Sequence, residues 1–131
     1  MSTELALKVN FAYNSGLTVI VAGLLLWPPS LNIWTAQKTK VEGFLKTVIS
    51  WHMMGCWVGA AASGAAVTWG AGKPQVDVAR IVAVQQGAWA IQNFMFYLSG
   101  YSTKLICAPA AACAGMAMWL FVPTMKTQTQ P

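Results

Sequence analysis

Four stretches of this chain carry no charged residue, and short polar segments separate them. Residues 9–37, 47–72, 81–98 and 105–122 contain no Asp, Glu, Lys or Arg. Each is long and apolar enough to read as a helix crossing the ~30 Å hydrocarbon core of a bilayer. Prolines and glycines sharpen the ends. Pro28 and Pro29 stop the first helix after Trp27, and Gly70, Gly72 and Pro74 end the second. Pro109 falls in the first turn of the fourth, where proline is tolerated, and Pro123 is expected to close it. The pattern predicts an all-α membrane protein. It is a single domain over 1–131, an antiparallel bundle of four transmembrane helices with short loops, spanning about 5–27, 47–71, 81–98 and 105–122.

The second stretch organises this expectation. Trp51 and Trp69 lie 18 residues apart, roughly 27 Å along a helix, and Trp favours both membrane interfaces. Between them Gly55, Gly59 and Ser63 recur at every fourth position. Such a flat stripe lets a second helix approach closely, so these three are read as helix-packing residues, within the bundle or toward a neighbour. Trp27, Trp119 and Tyr101 also fall near span ends, whereas Trp57 and Trp89 lie inside theirs.

The apolar pattern is interrupted by amides. Asn10 and Asn14 are spaced i,i+4 on the first span. The third span carries Gln85, Gln86, Gln92 and Asn93. Gln85 and Gln92 share one face, and Gln86 and Asn93 share the next. Polar faces on membrane helices turn toward protein rather than lipid. The connection over 28–46 mixes Leu31, Ile33 and Trp34, apolar enough for the interface, with Lys38, Lys40, Glu42 and Lys46, which belong in water. Asp77 and Arg80 are spaced i,i+3 beside the turn before the third span.

Composition narrows the function. Only 8% of residues are charged, against about 25% in a soluble domain, which again places the chain in a membrane. The net charge of +5 comes from eight bases against three acids. The bases are dispersed, so nucleic-acid binding is not expected. Lys8, Lys73, Arg80 and Lys126 fall on one predicted side and Lys38, Lys40, Lys46 and Lys104 on the other, which leaves the positive-inside rule no asymmetry to act on. Glu4 and Lys8 precede the first apolar run, so that run reads as a retained span rather than a cleaved signal. Cys56, Cys107 and Cys113 sit in apolar stretches without a C-x-x-C spacing and read as small buried hydrophobes.

Little here resembles catalytic machinery. Glu4, Glu42 and Asp77 all fall at span ends or loops, and G-x-S-x-G and phosphate-binding glycine loops are missing. His52 is the one histidine, too few for bis-histidine haem or a protein zinc site. No metal site and no enzyme activity are expected. His52, Gln85, Gln86 and Asn93 are the cofactor-binding candidates, because imidazole and amide oxygens can ligate the magnesium of a chlorophyll. The same amides can simply tie helices together. The Glu-x-x-x-x-Arg pattern of paired antenna helices is absent, which argues against the common antenna family but not against a few pigments.

The expectation is a small accessory or structural subunit of a large photosynthetic or respiratory membrane complex. It would bridge neighbouring subunits and hold chlorophyll, carotenoid or lipid in its grooves, in a thylakoid or mitochondrial inner membrane rather than a plasma membrane. A free-standing transporter or channel lined by Asn10, Asn14, Gln85, Gln92 and His52 is the alternative. A lipid-modifying membrane enzyme is the weakest reading.

Overall fold

The computed structural model describes residues 2–36 and 42–128. Among these residues there are four α-helices: α1 over Thr3–Leu26, α2 over Glu42–Thr68, α3 over Lys73–Leu98 and α4 over Cys107–Gln128. A short 3-10 helix, Pro28–Ile33, follows α1, and another, Lys104–Ile106, leads into α4. The expected wet positions of Lys38 and Lys40, the Leu31, Glu42 and Lys46 side chains and the last three residues lie outside what is described.

Local chemistry explains the boundaries. Ser2 caps α1, its hydroxyl oxygen accepting the Leu5 N–H at 3.1 Å. Glu4 sits in the first turn and pairs with Lys8 at 2.7 Å, an acid placed where the helix dipole favours it. Lys73 and Pro74 open α3, where a proline loses no helical hydrogen bond. Asp77 pairs with Lys73, one turn before it. Arg80 instead reaches α4, with Nε 3.3 Å from Thr124 Oγ1 and a terminal nitrogen 3.4 Å from the Thr124 carbonyl. Gly70 and Gly100 turn the chain after α2 and α3 with φ of +79° and +77°, a region that side chains disfavour.

Three boundaries depart from expectation. α3 starts at Lys73, eight residues before the expected 81, because Pro74 opens the helix and the Lys73–Asp77 pair supports its first turn through the polar segment. α2 starts at Glu42, five residues before the expected 47, so Trp51 stands nine residues along the helix instead of near its start. α4 does not close at Pro123 but runs on to Gln128. That turn keeps its polar groups occupied: the Thr124 hydroxyl donates to the Phe121 carbonyl at 2.6 Å, and Arg80 takes the Thr124 carbonyl.

Contacts between helices fix their course. Asn10 meets Ser63 and Asn14 lies beside Gly59, Gln75 meets Ala66 and Gln85 meets Gly55, and Arg80 meets Thr124 while Gly87 lies beside Ala117. In each pair the numbers rise on one helix as they fall on the other, so successive helices are antiparallel. At one end the connection after α1 is hydrogen-bonded to the turn after α3. Thr35 and Ser102 form an isolated antiparallel bridge, and Thr103 N–H donates to the Trp34 carbonyl at 2.9 Å. The Thr103 hydroxyl donates to the Ile33 carbonyl at 2.7 Å. Two loops about seventy positions apart thereby close one end of the bundle.

Two segments, Thr3–Leu26 and Lys104–Lys126, are long and apolar enough to cross a membrane. The same measure does not pick out α2 or α3, which carry His52 and the four amides respectively. Large apolar side chains are nonetheless exposed on all four helices, and several polar ones are buried. Val19 and Ile20 on α1, Trp51, Met54, Trp57 and Val58 on α2, Ile81, Val84, Ile91 and Met95 on α3, and Met118 and Trp119 on α4 are exposed. Asn10, Asn14, Ser63, Gln86 and Thr124 are wholly buried.

Candidate functional site

The interior has three levels along its axis. Nearest the α1 N-terminus is a small apolar cluster of Ala6, Leu7, Ala66, Ala79, Val82, Ala83 and Leu120. Alanine dominates it, so the helices stand close and a thin core suffices.

The next level is polar. Asn10 Nδ2 donates to Ser63 Oγ at 2.9 Å, and Asn14 Nδ2 donates to the Asn10 carbonyl at 3.0 Å. Gln86 Nε2 donates to Asn14 Oδ1 at 3.4 Å, and Gln85 Nε2 to the Gly55 carbonyl at 3.3 Å. Three helices are thus joined by amides. The glycines make this possible. A Cβ on Gly59 would stand 3.2 Å from Asn14 Nδ2 and 3.3 Å from Gln85 Oε1, and one on Gly55 would overlap the Trp89 ring. The Gly55–Gly59–Ser63 stripe therefore packs inside the bundle, against α1 and α3, and not against an outside neighbour. Asn10 Oδ1 and Gln86 Oε1 are buried without a donor.

Beyond the amides the helices part around a cavity of about 310 Å³. Its walls are apolar: Leu17, Ile20, Val21 and Leu24 from α1, Val48 and Ile49 from α2, Phe96 from α3, and Ile106 and Pro109 at the start of α4. Four polar residues break them, namely Trp34, His52, Asn93 and Ser102. Trp34 and Ser102 are brought there by the two bridged loops. The Trp34 indole N–H is buried and unpaired. The side chains of His52, Asn93 and Ser102 likewise make no hydrogen bond among the described residues. His52 is held edge-on to Trp89, ring centroids 5.0 Å apart at 78°. It also borders a groove of about 350 Å³ with Trp51, Gly55, Gln85, Trp89 and Gln92.

The four candidate ligand residues thus fall in three places. His52 and Asn93 share the cavity, and His52 and Gln85 share the groove. Gln86 lines neither and is an internal tie between α3 and α1. The seven-residue spacings do assort as pairs: Gln86 and Asn93 are buried, while Gln85 and Gln92 border the groove. Trp34 and Ser102 were not distinguished in the sequence. Trp34 read as an interfacial residue of a connection and Ser102 as part of a turn, and no local pattern joins them. Among the described residues no three His, Cys, Asp or Glu cluster as a metal site. Cys56, Cys107 and Cys113 are free thiols.

No protein-family model, curated protein or solved structure matches the chain.

Proposed function

We propose that this chain is a four-span integral membrane protein and a small structural subunit of a larger membrane assembly, photosynthetic or respiratory in kind. One observation carries the reading: large apolar and aromatic side chains face outward on all four helices, while Asn10, Asn14, Gln86 and Asn93 face inward. In water such a surface would far exceed the few hundred Å² of contiguous apolar patch that soluble monomers tolerate. In lipid, or against the helices of neighbouring subunits, it is the favourable arrangement. α2 and α3 miss a simple apolarity threshold because they carry His52 and the four amides, of which Gln86 and Asn93 are buried, while exposed apolar side chains (Trp51, Met54, Trp57 and Val58; Ile81, Val84, Ile91 and Met95) give them faces that suit lipid.

In this reading the chain fills space and bridges neighbours, and it carries no reaction of its own. Its grooves would hold chlorophyll, carotenoid or lipid, with His52 and Gln85 bordering a groove that a flat pigment could reach from outside. A thylakoid or mitochondrial inner membrane is the proposed location. A conducting path has less support. Asn10 donates to Ser63 and Asn14 to the Asn10 backbone carbonyl, and the alanine-rich cluster stands between them and the bundle end.

The test is extraction from native membranes in mild detergent followed by native gel separation. The 14.1 kDa chain is expected to migrate with larger subunits and an absorbing cofactor. Migration alone, together with ion or solute flux in vesicles, would overturn the assembly reading.

A further inference from the structure

We propose that the cavity between Trp34, His52, Asn93 and Ser102 is a binding site for an isoprenoid lipid whose ring carries a carbonyl oxygen. The inference goes beyond the assembly reading, because the pocket is built within this one chain and its occupancy can be tested without partners.

The argument starts from the polar groups. Trp34 Nε1 is a donor and nothing else, and it is buried with no acceptor. An unmet buried N–H costs about 1–3 kcal/mol, so its partner is an acceptor supplied from outside the chain. Asn93 and Ser102, both buried, bring an amide and a hydroxyl to the same cavity, and neither side chain is bonded among the described residues. Among the described residues no carboxylate or lysine lines the cavity, which favours a neutral polar end on the ligand. A carbonyl oxygen meets these conditions.

The rest of the wall defines the body. Leu17, Val21, Leu24, Ile49, Phe96 and Pro109 offer aliphatic and aromatic surface, and the Trp34, Phe96 and His52 rings suit a flat ring in offset or edge contact. About 310 Å³ lies at the small end of ligand pockets. It takes a single substituted ring and does not enclose a tetrapyrrole. Ile20 both lines the cavity and is 60% exposed, so the opening lies on the outer face of α1, where an isoprenoid tail would leave into lipid. Two sources share this chemistry, a prenylquinone head and the keto-bearing end ring of a carotenoid.

The experiment uses the full chain in nanodiscs of pure phosphatidylcholine. The probes are a decyl-substituted benzoquinone, a diketo-carotenoid and their carbonyl-free counterparts, decylbenzene and β-carotene. Equilibrium binding is read by tryptophan quenching and by extraction, and the carbonyl stretch by infrared difference spectroscopy with a ¹³C=O-labelled probe. At least one carbonyl probe is expected to bind saturably, with its stretch lowered. Trp34→Phe should weaken that probe roughly five- to tenfold, the loss of one hydrogen bond, and should return the stretch toward its free value. Asn93→Leu provides a second reading if Trp34→Phe fails to fold. Val21→Trp, filling the cavity, should abolish binding with helical circular dichroism unchanged. Which carbonyl probe binds identifies the source. Equal binding of carbonyl and hydrocarbon probes, indifference to both donor variants, or a cavity that takes only water or phosphatidylcholine would overturn the proposal.

Discussion

Replacing Gly55 with alanine measures how tightly α2 and α3 are joined. In an open helical position this change is stabilising by roughly 0.5–1 kcal/mol, because alanine loses less backbone entropy. At Gly55 the added methyl would overlap Cζ2 and Cη2 of Trp89 and stand 3.3 Å from Gln85 Nε2. Retreat of the Trp89 ring toward the groove it borders would break its edge contact with His52. Overpacking of this kind costs about 1–3 kcal/mol. Gly16 is the reference: it lies mid-helix in α1, and nothing stands within 4 Å of where its Cβ would be. Gly16→Ala and Gly55→Ala share the same backbone gain, so the difference between them isolates packing, about 1–3 kcal/mol against Gly55→Ala. The assay is reversible unfolding in mixed micelles at rising dodecyl sulfate fraction, followed by far-ultraviolet circular dichroism. Trp89→Phe shortens the ring short of the collision, so the double variant should recover 1 kcal/mol or more of coupling energy. Equal unfolding of the two alanine variants, or no recovery in the double variant, would refute the close approach of α2 to α3.

The amide level makes a second, independent prediction. Asn14→Leu removes the donor to the Asn10 carbonyl and the acceptor of Gln86, and should cost about 1–2 kcal/mol in the same unfolding assay. Gln86→Leu deletes an amide whose oxygen is already unpaired and should cost under ~1 kcal/mol, with the double variant well below the sum of the two; simple additivity would mean that the residues do not interact. Thiol labelling tests burial directly. Cys56 and Cys113 are buried and Cys107 only partly so, so a maleimide should modify one thiol promptly in the folded protein and all three after denaturation, and rapid loss of all three from the native state would contradict the packing.

Much of the architecture was legible from charge alone, because charged residues cluster at the helix ends and turns. Uncharged stretches separated by Pro28–Pro29, by Gly70–Pro74 and by the turn at Gly100 locate the four helices to within a few residues, except where a helix extends into polar sequence. α2 begins at Glu42 and α4 continues past Pro123 because helix continuation is decided by backbone partners rather than by hydropathy. The small-residue stripe was legible for a similar reason: Gly55, Gly59 and Ser63 fall on one face by helical period, and a flat face is suited to close packing. What surrounds that face was not legible. Period places Gln86 with Asn93 and Gln85 with Gln92, but it cannot say which pair turns inward, since that depends on where α1 and α4 stand.

The cavity lay furthest from sequence reasoning, and its construction explains why. His52 and Asn93 come from helices and were candidates by residue type, whereas Trp34 and Ser102 come from loops about seventy positions apart. Those loops meet through backbone hydrogen bonds, Thr103 to Trp34 and Thr35 with Ser102, and backbone bonds leave no residue-type signature. The same bridge ties the occupancy of the cavity to the ends of α1 and α3. A ligand held by Trp34 stabilises the bridged loops by its own binding free energy. A four-helix fold whose core cluster is mostly alanine gains rigidity in that way. The polar residues at this end of the bundle then serve to order the end of the fold around a bound lipid, whereas the amides at its centre hold the helices together without one.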